Sequence, residues 1–232
     1  MRGLWPEELV EAGRLKEKSI SWEVIKALEK KCLNKSFAVV SLTHAAVKHL
    51  EKLYPEYSLK QKTMVIPTCA NLERFKLKTC EFTSDSIIIS CIGSILSGWF
   101  QIDVLKAVVD YMLSNYPSVK FEFLTRDNKE DLLSIIDADR KWSNRIHIDS
   151  VLFKDMPSRL SKHAGSVFFY TVNTSQLGRA PTRMAELLGT GIPVLTSSGV
   201  GDVDKIVLEH KVGIVLKSIS KDAIKKSCDD FF

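Results

Sequence analysis

The stretch Gly178-Arg-Ala-Pro-Thr-Arg-Met-Ala-Glu-Leu-Leu-Gly-Thr-Gly-Ile-Pro-Val-Leu-Thr-Ser-Ser-Gly-Val-Gly-Asp-Val-Asp204 reads as helix, tight turn, strand, glycine turn and helix. Pro181 suits a first helical turn, where its missing N–H has no partner to lose. Gly189 and Gly191 end that helix, one of them in the left-handed conformation that closes helix C-termini. Ile192–Thr196 is an apolar run, hence a buried strand. Gly199 and Gly201 permit a sharp turn, and Asp202 can cap the helix that follows.

Outward from this stretch the pattern repeats. Apolar strands are predicted at Ile87–Ile92, Val119–Leu124, Arg145–Ile148, Ser166–Val172 and Val212–Leu216. Helical spacing is predicted for Val104–Leu113, Lys129–Ile136, Met156–Lys162, Thr182–Leu188 and Asp202–Leu208. Strands alternating with helices call for a parallel sheet with right-handed crossovers. The near-continuous apolar strands agree, because such a sheet is covered on both faces. The fold class expected is α/β, a doubly wound, Rossmann-like parallel sheet over residues 86–232. An α/β segment over residues 1–80, which the resemblance given below implies is a partial domain, precedes it, with a polar linker at Lys76–Asp85. In the first part, residues 1–35 read as helical and Phe37–Leu42 as a strand. Ala45–Tyr54 reads as a helix ended by Pro55, and Thr63–Ile66 as a strand closed by Pro67.

Composition narrows the function classes. Hydrophobic content of 45% and charged content of 26% are those of an ordinary globular protein. No apolar run is long enough to span a membrane, and the N-terminus lacks the apolar core of a signal peptide. The five cysteines show no metal or disulfide spacing, which fits a reducing cytoplasm. Residues 1–78 carry 15 Lys+Arg against 9 Asp+Glu, a net of +6, while the remainder nets −1. That basic excess fits peripheral contact with an anionic inner membrane surface and equally a solvated face. Nothing points to nucleic acid. The five histidines are scattered and no Asp-x-Asp pair occurs, so no metal site is expected.

Arg183 and Glu186 are three apart and share one helix face near the helix N-terminus, which favours anions. A cation, a carboxylate and glycine-rich backbone there suit a phosphate and sugar hydroxyls. A surface ion pair on an amphipathic helix fits the spacing as well. In a doubly wound sheet ligands lie beyond the carboxyl ends of the strands. That rule selects Gly93-Ser-Ile-Leu-Ser-Gly-Trp99, Thr125 and Arg126, Asp149 to Val151, and Asn173 to Ser175. Glycine in the first of these loops lets backbone N–H groups approach a phosphate, though a plain strand–helix turn reads the same way.

Pro181-Thr-Arg-Met-Ala-Glu-Leu-Leu-Gly-Thr-Gly-Ile-Pro-Val194 resembles the donor-site signature of GT-B glycosyltransferases of family four. That signature has two Glu residues; Glu186 takes the second place and Gly178 the first. A subgroup with Ser-Pro-Thr-Lys before the second Glu is similar, with Arg183 in the Lys place. Val39-Val-Ser41, Val65-Ile-Pro-Thr68, Asn71 and Phe75 resemble the run that closes the N-terminal domain of these enzymes. Arg2–Glu8 resembles a segment from midway through that domain, which implies a truncated N-terminal domain. The resemblance implies retaining, metal-independent transfer of a sugar, without a cofactor, from a nucleotide sugar to a glycan or lipid-linked acceptor in cell-surface polysaccharide synthesis. Arg183 and Glu186 are implied as catalytic. Gly93, Ser94, Thr125, Ser175, Thr182, Arg183, Glu186 and Gly199 are implied as donor contacts. A catalytically incomplete nucleotide-sugar-binding fragment and a nucleotide-sugar epimerase of the same fold fit the same residues.

Overall fold

The computed structural model describes residues 3–76 and 86–232. All but Lys76 of the expected linker lies outside the described residues, as does Arg2 of the Arg2–Glu8 segment. The chain divides into two compact units. One comprises Met1–Thr68, Val172–Pro181 and Gly199–Asp204; the other comprises Cys69–Thr171, Thr182–Ser198 and Lys205–Phe232. The stretch from Gly178 to Asp204, continuous in sequence, is thus shared out between them. Among the described residues no helix is long and apolar enough to cross a membrane.

In the first unit, helices α1 (Trp5–Glu11) and α2 (Ile20–Lys35) precede strand β1 (Val39–Ser41). Helices α3 (His44–Leu53) and α4 (Leu59–Lys62) then lead to β2 (Thr63–Val65), parallel to β1. Leu4, Leu33, Ala46, Leu50, Tyr54 and Leu59 form its core, with Val39, Tyr57 and Leu177 packed against it. Polar groups close the helix ends. The Ser19 side chain accepts from Trp22 N–H at the head of α2. Lys62 Nζ donates to the carbonyls of Leu33 at 2.6 Å and Asn34 at 3.2 Å, placing a cation on the last turn of α2. Asp202 caps a helix distant in sequence rather than the one that follows it. Its carboxylate accepts from His44 N–H at 2.7 Å and Ala45 N–H at 3.0 Å, beside the Thr43 cap on Ala46 N–H. Phe37 is 98% exposed and Trp5 is 57% exposed, while Leu42 is half-buried.

The second unit contains a six-stranded parallel sheet in the order β5-β4-β3-β6-β7-β8. The strands are β3 (Ile87–Ile92), β4 (Val119–Leu124), β5 (Ile146–Asp149), β6 (Gly165–Phe168), β7 (Val194–Ser197) and β8 (Gly213–Leu216). The connecting helices are α5 (Ile102–Asn115), α6 (Lys129–Ile136), α7 (Met156–Leu160), α8 (Thr182–Gly189) and α9 (Val203–His210), and α10 (Lys221–Asp229) follows β8. Strand direction of growth reverses between β3 and β6, which makes this the switch point. Every residue of β6 and of β7 is buried. Successive strand side chains point to opposite faces, so the sheet is covered on both. Phe121, Phe123, Ile89, Leu105, Met112 and Leu113 are among the fully buried core residues. The strands expected at Arg145–Ile148 and Ser166–Val172 form one residue later and four residues shorter at their carboxyl ends respectively. At α8, Gly191 takes φ +79° as the left-handed closing residue.

One charged side chain breaks the apolar rule. Glu122, on β4, is buried, and Arg159 donates to it from Nε at 2.9 Å and Nη2 at 2.5 Å. His163 Nε2 meets Oε2, the oxygen that Arg159 Nε also reaches, at 2.6 Å, and the same Arg159 reaches Asp149 Oδ2 at 3.3 Å. Burial by itself raises the Glu122 pKa. The hydrogen bonds from His163 and Arg159 outweigh it and hold the carboxyl at about 2.

A carboxyl depressed in the folded state contributes stability that is complete above its unfolded pKa and lost as pH falls through its folded one. Stability should therefore decline as pH drops from the ordinary glutamate range toward about 2. Thermal unfolding followed by circular dichroism at stepped pH should show this decline flattened in Glu122→Gln. At neutral pH Glu122→Ala, which strands Arg159 and His163, should cost about 3 kcal/mol. Loss of the α3 cap in Asp202→Ala should cost about 1 kcal/mol in the same assay.

Candidate functional site

A cavity of about 280 Å³ lies at the carboxyl ends of β3, β4 and β5. Its walls come from Ile92, Gly93 and Ser94 after β3, Leu124, Thr125 and Arg126 after β4, Ser150, Val151 and Phe153 after β5, and Met156 and Arg183. Each loop is there for a local reason. Gly93 has φ +133°, a conformation that side chains rarely adopt, and its N–H donates to Leu124 O at 3.1 Å. Thr125 N–H continues the β4–β5 ladder by donating to Asp149 O at 3.0 Å. Arg74 donates to Phe153 O at 3.2 Å, and its guanidinium lies 4.3 Å from the centre of the Phe153 ring. That cation–π contact fixes an otherwise half-exposed aromatic at the cavity.

Arg183 enters from the first turn of α8. Its Nη1 donates to Glu186 Oε2 at 2.5 Å. Glu186 is 4% exposed, whereas the Arg183 side chain is 37% exposed. The lining contains Arg183 and does not contain Glu186. The carboxylate is therefore packed under the helix and aims the guanidinium, which keeps further donors for an anion. A pair on an open helix surface would be worth little. Here burial of Glu186 raises the cost of breaking it.

Of the eight implied donor contacts, Gly93, Ser94, Thr125 and Arg183 share one cavity, joined by Arg126, Ser150 and Val151 from the loops selected after β4 and β5. The others do not join them. Thr182 is the exposed first residue of α8 and is absent from the lining. Ser175 belongs to the first unit, where its N–H donates to Glu11 Oε1 at 3.0 Å and its hydroxyl donates to Glu11 Oε2. Gly199 belongs to the same unit and donates its N–H to Asp204. In the Gly93–Trp99 loop, Ile95 and Leu96 N–H both donate to Asp127 Oδ2. Phe153 and Met156 line the cavity without any signal in the sequence beyond an apolar pattern. Cys91, under this loop, is fully buried, and burial, with Asp127 as a lesser cause, pushes its thiol far up, so it is no nucleophile.

No protein-family model and no curated protein sequence matches the chain. Solved structures do. WaaG, a glycosyltransferase involved in lipopolysaccharide biosynthesis, aligns with a TM-score of 0.67 at 13% identity, over 91% of this chain and 58% of WaaG. A mutant of S. aureus TarM, solved with UDP, fondaparinux and an α-GlcNAc-glycerol, aligns at 0.63 and 14%, over 93% of this chain and 41% of TarM. Anabaena HepE, solved with UDP and glucose, aligns at 0.62 and 13%, over 89% and 56%. What is shared at such identity is the fold, that of the GT-B glycosyltransferases. The chain spans less than two thirds of each of these proteins.

Removing Arg183 should strand the buried Glu186 carboxylate. Arg183→Ala should lower unfolding stability by about 1–3 kcal/mol in urea denaturation, and Arg183→Lys by less.

Proposed function

We propose that the second unit binds a nucleotide sugar and that the chain is part of a glycosyltransferase. The observation that carries this reading is the Arg183 guanidinium, aimed by buried Glu186 into a polar cavity beyond the carboxyl ends of three parallel strands. Solved neighbours of the same fold, HepE and TarM, were crystallised with UDP, which supports a uridine nucleotide as the first ligand to try.

In this reading Arg183 receives the diphosphate and neutralises the charge that grows on it as the glycosidic bond to the sugar breaks. Glu186 orients Arg183 through Oε2, and its other oxygen is proposed to reach the ribose only once the donor is bound. Gly93, Ser94 and Thr125 take the remainder of the donor, and Thr182 stays as a proposed contact of the bound state. Transfer goes to a glycan or lipid-linked acceptor, with retention at the anomeric carbon and without a metal. Peripheral contact of the basic first unit with a membrane belongs to the same proposal.

A second reading, a module that binds the donor without turning it over, is favoured by one feature. The first unit holds a two-stranded sheet beside an apolar groove of about 370 Å³ that includes Trp5, Ile25, Leu28 and Val40. Parallel sheets are stable chiefly when covered on both faces.

Calorimetry across uridine, guanosine and cytidine diphosphates and their sugars tests the common part; no binding of any of them rejects it. Arg183→Ala should weaken the nucleoside diphosphate by about 1–3 kcal/mol and leave the bare nucleoside unchanged. Glu186→Ala should weaken both, since it removes a ribose contact. Release of free sugar from a bound donor, or its transfer to a lipid-linked acceptor, separates the enzyme from the binding module.

A further inference from the structure

Asp127 lies outside the cavity lining yet governs one of its walls. Three donors converge on its Oδ2: Ile95 N–H at 2.6 Å, Leu96 N–H at 3.0 Å and the Thr125 hydroxyl at 2.7 Å. Its own N–H returns to Thr125 Oγ1 at 2.9 Å. Consecutive backbone N–H groups in a glycine turn form an anion-binding concavity, and here that concavity already holds an anion from the chain itself. The Thr125 hydroxyl proton is committed to Asp127, so toward the cavity its oxygen can only accept. The charges follow the same division. Glu186 pairs with Arg183, while Arg126 lines the cavity.

We propose that Asp127 is a specificity-determining residue, an internal anion that fills the glycine-loop cradle and turns that wall against phosphate. The wall of Ser94 and Thr125 then faces the uncharged, hydroxyl-bearing moiety of the ligand. Phosphates are left to Arg183 and Arg126. The identity of the ligand rests on the nucleotide-sugar reading above; the occupied cradle does not.

The test is calorimetry with uridine, UDP and inorganic pyrophosphate on the full chain, its Asp127→Asn variant and its Asp127→Ser variant. Asn keeps an acceptor for the loop N–H groups and removes the charge. Ser removes the charge and shortens the side chain, and is the fallback if Asn disturbs folding. Both should bind UDP and pyrophosphate at least about fivefold more tightly than the parent, with uridine unchanged. The gain should shrink at high salt. If UDP and pyrophosphate bind no better, or if uridine tightens by the same factor, Asp127 does not act on phosphate and the proposal falls. If the parent binds neither uridine nor UDP while the variants gain pyrophosphate, the nucleotide reading falls and the role of Asp127 stands.

Discussion

The second unit depends on one buried carboxylate. Glu122 interrupts an apolar strand in the sheet interior, and an isolated charge there would be costly. It is tolerated because Arg159 offers two donors and His163 a third. The cluster joins elements that apolar packing alone would leave free to slide. Arg159 belongs to α7, Glu122 to β4 and Asp149 to the end of β5, so one guanidinium pins a helix to two neighbouring strands. His163 Nδ1 has no partner among the described residues, so His163 is held in the cluster through Nε2.

That clamp bears directly on the cavity. Ser150 and Val151 follow Asp149, Thr125 follows β4 three residues after Glu122, and Met156 opens α7. Three of the walls thus start from the clamped residues. The remaining walls use the same device at smaller scale. Glu186 aims Arg183, Asp127 closes the Gly93 loop, and Arg74 holds Phe153. In each case a charge is satisfied inside the protein and a different group is left to face a ligand.

The first unit is organised otherwise. Its core is small, and its helices rely on polar caps from remote residues: Lys62 on the end of α2 and Asp202 on the head of α3. Large apolar side chains stay exposed along α2 at Ile20, Val24 and Leu28, and at Phe37 and Met64. Spacing by fours puts the first three on one helix face, so they form a stripe and not scattered contacts.

Periodicity in the sequence determined the alternation of strands and helices over residues 86–232 and the parallel character of the sheet. These are legible because burial imposes a repeat on residue type, and because glycine and proline mark turns locally. It also placed Gly93 and Thr125 just beyond the ends of β3 and β4, and Arg183 near the head of α8, since strand ends follow from strand positions. Only tertiary structure decided who satisfies whom. Asp202 reads as the cap of the next helix and caps α3; the pairing of Ser175 with Glu11 and of Asp127 with the Ile95 and Leu96 N–H groups has no trace in the sequence. Glu122 gives no hint in Val-Lys-Phe-Glu-Phe-Leu that two residues some forty positions later will enclose it. Hydrogen-bond partners are chosen by distance in space, which carries no periodic trace in the chain, whereas burial does.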